Sequence, residues 1–251
     1  MNKTAIVTGG NRNIGREAAL ALASKSVDII ITYNERKEQA TETVNDLVAL
    51  GIKAAAIQIN FETTAEIKPF VEKVKATLTQ WGKTGLDILI NNAGTLRIAP
   101  FDKVTEADLD AIYGTNYKSI FFLTQELLPH LNDGGRIVNL GSGTAKIAFG
   151  PLVSYGPMKA ALQSLTPYLA SFLGSKRITV NAVAPGGLDD DFNAPLFNVI
   201  FPPAREYIKA NTAVGRLGMP NDVGHVIAFL CSEEASFISG AVIPIDGGYH
   251  L

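Results

Sequence analysis

The run Lys3-Thr-Ala-Ile-Val-Thr-Gly-Gly-Asn-Arg-Asn-Ile-Gly-Arg-Glu-Ala-Ala-Leu-Ala-Leu-Ala23 decides the fold. Lys3 to Thr8 is a short β-rich segment that runs straight into Gly9 and Gly10. Beyond Gly15 the apolar period changes from strand to helix, with Ile14, Ala18 and Leu22 on one side. A strand, a glycine turn and a helix in that order point free helical N–H groups and a positive dipole end at whatever sits over the turn. A pyrophosphate suits that place.

The same alternation continues. Apolar strand-like runs recur at Val27–Thr32, Lys53–Asn60, Leu86–Asn91, Arg136–Leu140, Ile178–Ala184 and Val242–Ile245. Between them lie helical patterns at Glu35–Leu50, Thr64–Trp81, Glu106–Leu131, Ser154–Leu173 and Asn221–Cys231. Strands alternating with helices form a parallel sheet covered on both faces, and right-handed crossovers wind it in two directions. The expectation is an α/β chain, one domain over 1–251, with a Rossmann-type doubly wound parallel sheet. Ligands of such sheets lie at the carboxyl ends of the strands, where the winding reverses. The irregular segment Gly187–Ala213 is expected to be a substrate-binding loop.

The bulk numbers exclude several classes. With 251 residues, 47% of them hydrophobic, the chain can bury a large core. A net charge of -2 with no basic stripe argues against nucleic acid and anionic membranes as partners. Cys231 is the only cysteine, and His130, His225 and His250 lack ligand spacing, so no metal is expected. The segment MNKTAIVTGG does not read as a signal peptide, and no apolar stretch reaches the ~18 residues of a membrane span. A soluble cytoplasmic protein is expected.

Chemistry concentrates in SGTAKIAFGPLVSYGPMK, residues 142–159. Tyr155 and Lys159 stand four apart at the start of a helix, which stacks them on one face. A free phenol titrates near ~10, and a neighbouring ammonium is expected to lower it toward working pH. Ser142 offers a hydroxyl to a substrate oxygen. Pro157 fits if Ser154 caps the helix, because first-turn N–H groups have no intrahelical acceptor.

Six motifs in order resemble those of the short-chain dehydrogenase/reductase family over nearly the whole length. Thr8, Gly9 and Gly15 match its glycine motif, and Asn91 to Gly94 its Asn-Asn-Ala-Gly. Asn116, Ser142, Tyr155 and Lys159 match its catalytic set, followed by Pro185-Gly186 and Asp246 to Gly248. The resemblance implies hydride transfer between a nicotinamide and a carbonyl. Tyr155 would be the proton donor and Ser142 a ligand of the carbonyl oxygen. Lys159 would hold the nicotinamide ribose and tune Tyr155, while Asn116 positions a water that relays protons to Lys159. Cofactor contacts are implied for Gly9, Asn11, Arg12 and Ile14, for Tyr33 and Asn34, for Asn60 and Phe61, for Asn91 and Gly94, for Tyr155 and Lys159, and for Gly186 and Leu188.

Three departures stand out. Asn13 replaces a glycine of the turn, a residue that tolerates left-handed backbone. Asn60 replaces an Asp near the adenine. Asp190 stands where a Thr usually meets the nicotinamide amide, which puts that contact in doubt. Tyr33 is neutral where an acidic group would select NAD, and Arg12 and Arg36 supply cations, so NADP(H) is expected over NAD. Glu35 is the counter-argument.

For substrate, Phe192, Leu196, Phe197, Ile200 and Phe201 suggest a small or medium apolar ketone or aldehyde. An acidic mouth at Asp189, Asp190 and Asp191 would disfavour carrier-protein or coenzyme A thioesters; a 3-oxoacyl thioester reductase is the runner-up. A non-catalytic nucleotide sensor on this fold would typically lack the Tyr or the Lys, and both are present. Apolar surplus on Glu106–Leu131 and Ser154–Leu173 leads to an expected homotetramer or homodimer.

Overall fold

A computed structural model describes residues 2–250. Seven strands form one parallel sheet in the order β3-β2-β1-β4-β5-β6-β7. They are β1 (Thr4–Val7), β2 (Asp28–Tyr33), β3 (Ala54–Gln58), β4 (Leu86–Asn91), β5 (Leu131–Leu140), β6 (Thr179–Pro185) and β7 (Val242–Ile245). The winding reverses between β1 and β4, which pair directly through Ala5↔Ile88 to Val7↔Ile90. The expected doubly wound parallel sheet is therefore the observed one.

The helices are α1 (Asn13–Ala23), α2 (Lys37–Ala49), α3 (Ile67–Gln80), α4 (Glu106–Tyr113), α5 (Ser119–Leu127), α6 (Tyr155–Leu173), α7 (Ala204–Ala210) and α8 (Pro220–Leu230). Side chains of neighbouring strand residues leave the sheet on opposite faces. Ile29 and Ile31 join Leu22, Val138 and Ile227 in one buried layer. Ile30 joins Ile6, Leu89, Phe70, Val74 and Leu123 in the other. Each buried Leu, Ile or Phe contributes about 1.5–3 kcal/mol, and the two layers sandwich the sheet.

The structure corrects four details of the sequence reading. The span Glu106–Leu131 is not one helix. A π-helical turn, Gly114–Lys118, separates α4 from α5, and a 3-10 turn at Leu128–His130 ends the run. Gly114 lies so close to the Glu62 carbonyl that a Cβ there would come within 2.7 Å of it. Leu131 already belongs to β5 and pairs with Leu86.

Ser154 is the N-cap residue of α6, as expected, but its side chain makes no capping hydrogen bond. The Leu152 carbonyl takes the Tyr155 and Gly156 N–H groups instead, at 3.0 and 2.9 Å. Pro157 still falls in the first turn, where its missing N–H costs little. The segment Gly187–Ala213 is not irregular throughout. It holds a π turn at Leu196–Ile200 and α7, which begin after Pro195 and Pro203. Leu196, Phe197, Ala204 and Ile208 bury one side of this flap. Finally, α2 begins two residues later than expected, after Arg36 in left-handed backbone at φ 55°.

Buried polar side chains join the sheet to the helix that bears the Tyr–Lys pair. Asn91 Nδ2 donates to Asn139 Oδ1 at 2.9 Å and to Thr124 Oγ1 at 3.3 Å. Asn139 Nδ2 donates to Thr166 Oγ1 on α6 at 3.1 Å. An orphaned buried polar group costs about 1–3 kcal/mol. Asn139→Leu leaves Asn91 and Thr166 without this partner, so urea unfolding should show a midpoint lowered by a loss of at least ~2 kcal/mol. An unchanged midpoint would contradict the role given to this chain of bonds.

Candidate active site

The strand ends surround a cleft of about 520 Å³. Its floor begins at the first glycine turn. Gly9 has φ +62°, and a Cβ on Gly15 would sit 2.2 Å from the Gly9 carbonyl oxygen. Only glycine at 15 lets the helix start close over the turn. Asn13 takes φ 48° in place of the expected glycine, so the turn survives that departure.

Asn92 locks this turn to the next one. Its Nδ2 donates to the Thr8 and Gly9 carbonyls at 2.8 and 3.1 Å. Thr8 Oγ1 accepts the Asn92 and Ala93 N–H groups at 2.8 and 2.9 Å and donates to the Ile90 carbonyl. Thr32 Oγ1 accepts the Gly9 N–H at 3.0 Å. The backbone facing the cleft is thereby rigid on both sides of the winding reversal.

Of the residues expected to hold a cofactor, Gly9, Asn11, Arg12, Ile14, Tyr33, Asn34, Asn60, Phe61, Gly94, Tyr155, Lys159, Gly186 and Leu188 all line the cleft. Asn91 does not. It lies on β4 with its side chain spent on Asn139 and Thr124, and its neighbour Asn92 reaches the cleft instead. The second Asn of Asn-Asn-Ala-Gly was the signal for this residue. Asn60 Oδ1 accepts the Glu62 N–H at 2.9 Å, while its Nδ2 makes no hydrogen bond to any described residue.

Near the end of β2 two guanidinium groups, those of Arg12 and Arg36, line the cleft. Burial, and then the like charge of Arg36, push Arg12 below its ordinary pKa, with Asp191 and Asp190 pulling it back. Arg36 approaches Asp191 at only 3.9 Å. Two cations at one end of a cleft favour an anion there, and a 2′-phosphate is such an anion. Glu35 also lines the cleft but makes no hydrogen bond there to any described residue. The glycine cradle, the free Asn60 amide and the paired cations fit an NADP(H) molecule.

The other end of the cleft holds the Tyr–Lys pair. Lys159 is 1% exposed, and its Nζ donates to the Leu140 carbonyl at the tip of β5, at 2.7 Å. One turn on, Gln163 Nε2 donates to the Ser142 carbonyl at 2.8 Å. These two side chains fasten α6 to the strand end. Lys159 Nζ lies 5.6 Å from the centroid of the Tyr155 ring. Ser142 Oγ shares a hydrogen with Thr144 Oγ1 at 2.8 Å and accepts the Thr144 N–H at 3.2 Å.

Electrostatics differ from the expectation that the ammonium lowers the phenol. Burial raises Tyr155 above its ordinary value; hydrogen bonding with Ser142 pulls it partly down, and the charge of Asp190 pushes it up again. Burial also takes Lys159 down to about 7. Desolvation outweighs pairing, so the phenol stays protonated at neutral pH.

Asn116 sits behind the cleft wall in the π turn. It is fully buried, with Nδ2 donating to the Thr95 and Ile112 carbonyls at 2.9 and 3.1 Å. Its Oδ1 accepts no hydrogen bond from any described residue. A Cβ on Gly94 would lie 2.8 Å from that oxygen and 3.7 Å from Lys159 Nζ, so Gly94 keeps the space between them open.

Above Tyr155 the wall is apolar. Leu96, Ile147, Phe149, Leu152, Phe192, Leu196, Phe197 and Tyr249 line it, and the Phe192 ring is 6.2 Å from that of Tyr155. Phe149 and Leu152 lie inside the stretch that carries the Tyr–Lys pair, yet nothing in their spacing marked them; Tyr249 gave no signal at all. The expected acidic mouth is largely neutralised. Asp189 forms a two-pronged pair with Arg205 at 2.8 and 2.8 Å, and Asp191 turns toward Arg36. Among the described residues no group of three His, Cys, Asp or Glu could hold a metal ion.

Comparison with known proteins agrees with this geometry. Residues 9–250 match the family model described as enoyl-(acyl carrier protein) reductase. A hydroxynaphthalene reductase-like protein of Metarhizium guizhouense is 34% identical over 256 residues, spanning 98% of this chain and 94% of its own. A 3-oxoacyl-[acyl-carrier-protein] reductase of Staphylococcus aureus is 33% identical over 253 residues, spanning 100% and 99%. The crystal structure of an angucycline C-6 ketoreductase with bound NADP superimposes with a TM-score of 0.93 at 34% identity, covering 99% of this chain and 95% of that one.

Two outcomes follow from the geometry. Unfolded, the Lys159 amine titrates near ~10.4, and folded near about 7. Between those values the unfolded chain holds the extra proton, so this residue's contribution to stability rises with pH and is lost as pH falls through 7. Urea midpoints of the wild type should therefore rise relative to Lys159→Met between about pH 7 and pH 10; parallel profiles would contradict the burial assignment. In the double variant Arg12→Ala/Arg36→Ala, kcat/KM for NADPH should fall about ten- to a hundredfold, as loss of charge-assisted bonds implies, while the value for NADH stays within about threefold. Equal losses would refute the phosphate site.

Proposed function

The chain belongs to the short-chain dehydrogenase/reductase family and is an NADP-dependent oxidoreductase; from that premise we propose that it reduces small or medium apolar ketones, with Tyr155 as the acid. The observation that carries this is the buried phenol of Tyr155, set beside Lys159 in a cleft with an apolar wall.

Bound NADPH supplies the hydride that the carbonyl carbon receives. Tyr155 gives its proton to the carbonyl oxygen, a step for which a neutral phenol is the required form. Ser142 Oγ donates to the same oxygen, and Thr144 fixes its direction. Charge grows on that oxygen in the transition state, so two donors fixed before the reaction are the main catalytic lever. Lys159 keeps one N–H on Leu140 and has two left for the nicotinamide ribose and for proton return. Asn116 Oδ1 holds a water that relays a proton to Lys159 past Gly94.

Arg12 and Arg36 would hold the phosphate end of a bound cofactor, the first glycine turn its pyrophosphate, and Lys159 its nicotinamide ribose, all of them lining one cleft. The flap within 187–213 closes on the substrate through Phe192, Leu196 and Phe197. Relatives named for hydroxynaphthalene and angucycline substrates support a flat, apolar carbonyl compound. The Staphylococcus aureus relative supports a second reading, reduction of 3-oxoacyl thioesters. With Asp189 and Asp191 paired to arginines, the acidic mouth no longer argues strongly against a phosphate-bearing thioester. The enzyme works as a homotetramer or homodimer in the cytoplasm, without nucleic-acid or membrane partners. The exposed Phe121, Phe122, Tyr168 and Phe172 on α5 and α6 support subunit contacts. No helix among the described residues is long and apolar enough to cross a membrane.

NADPH oxidation across a panel of aryl ketones, aliphatic ketones and acetoacetyl thioesters tests the reading. The aryl ketones should give the highest kcat/KM, and Tyr155→Phe should lower it at least ~10²-fold with the Kd for NADPH changed less than about threefold. A thioester preference would favour the second reading. Near-normal turnover by Tyr155→Phe would remove the phenol from the mechanism.

A further inference from the structure

Three carboxylates follow one another after β6, at Asp189, Asp190 and Asp191, and the structure treats them differently. Asp189 is exposed and bound by both prongs of Arg205, and Asp191 is exposed opposite Arg36. Only Asp190 lines the cleft. Its Oδ1 accepts the Asn193 backbone N–H at 2.9 Å and the Asn193 side-chain N–H at 2.8 Å. These two hydrogen bonds to one oxygen anchor the carboxylate. The other oxygen, Oδ2, accepts no hydrogen bond from any described residue.

The cleft lining and the sequence neighbours of Asp190 fix its position. Its charge is felt at Tyr155, at the chemical end of the cleft, and it interacts with Arg12, at the phosphate end. Leu188 and Phe192, its near neighbours in sequence, also line the cleft, and Phe192 packs near the Tyr155 ring. Asp190 thus belongs to the wall between the two ends. Hydride donation to a carbonyl carbon beside Tyr155 requires the nicotinamide to lie along this part of the wall. Burial raises Asp190 above the usual carboxylate value, while the Asn193 N–H groups and Arg12 hold it back.

A nicotinamide ring offers two features to such a group. Its carboxamide carries N–H donors, and its ring is neutral when reduced and cationic when oxidised. A bound reduced cofactor would supply two electrons and one proton, as hydride, to the carbonyl carbon. Tyr155 gives the second proton to the oxygen, and the ring is left with a positive charge. A fixed carboxylate nearby favours that final state over the initial one.

Building on the NADP reductase reading, we propose that Asp190 is the ring-side anion of the cofactor cleft: its free oxygen accepts the nicotinamide carboxamide N–H, and its charge stabilises the oxidised ring over the reduced one. The residue thereby biases the enzyme toward carbonyl reduction.

The test is the ratio of dissociation constants for NADP+ and NADPH, measured by calorimetry on the full-length wild type, Asp190→Asn and Asp190→Thr. A change at Asp190 that acts only on the cofactor phosphates alters both constants alike and cancels in the ratio. Removing the charge should weaken NADP+ relative to NADPH by about tenfold, which for a two-electron couple shifts the bound cofactor's potential upward by about 30 mV. Both neutral variants should shift the ratio in the same direction, so one of them suffices if the other fails to fold. A ratio unchanged within twofold, in wild type-like binding of both forms, would overturn the ring-side role while leaving the reductase reading intact. Failure of the wild type to bind either form would overturn both.

Discussion

Lys159 reaches the Leu140 carbonyl from inside the protein, and most of the site depends on that one hydrogen bond. A buried amine has few places to put its donors, and a strand-end carbonyl has few partners once the sheet stops. Each satisfies the other. With Gln163 bonded to the Ser142 carbonyl one turn later, α6 is held at a fixed height against β5. That height sets Tyr155 beneath Phe149 and Phe192 and beside Ser142. The same burial makes the phenol a better-kept acid than its distance from an ammonium would suggest. The chemistry and the docking of the helix are therefore one energetic arrangement.

The opposite end of the cleft is held by different means. No charge is needed to shape the glycine turn; Thr8 and Asn92 do it with a closed set of neutral hydrogen bonds between the loops after β1 and β4. Charge enters only where selectivity does, at Arg12 and Arg36. Asp190 and Asp191 offset the charge of Arg12, and Asp191 also faces Arg36. Asp191 lies on the flap that covers the substrate end, so the cofactor phosphate site and the flap share an ion pair of 3.9 Å. Substrate and cofactor ends are joined by this contact as well as by the sheet.

Much of this was legible in the sequence because periodicity and spacing encode it. Alternating strands and helices gave the sheet, and a four-residue interval placed Tyr155 and Lys159 together. What was not legible depended on which of two neighbouring residues faces the cleft. Asn91 and Asn92 are chemically identical, and only the pleat of β4 and its end decide that one ties the sheet to α5 while the other ties the two turns. Asp189 to Asp191 read as one acidic mouth, but arginines distant in sequence remove two of them. The flap helices were hidden by prolines that break a pattern in sequence yet start turns in space. The direction of the Tyr155 shift was missed because local spacing reveals a neighbouring cation, whereas burial is set by Phe149, Leu152 and Phe192 packing around it.

Deuteride transfer is the most direct measurement of whether this cleft does what its geometry supports. With NADPH carrying deuterium at both C4 positions and the apolar ketone that turns over fastest, the product alcohol should carry one deuterium on the carbinol carbon, read by mass and by proton NMR. An alcohol free of deuterium at that carbon, or NADPH left unoxidised in the presence of every ketone, would contradict the assignment of Tyr155, Lys159 and Ser142 to carbonyl reduction.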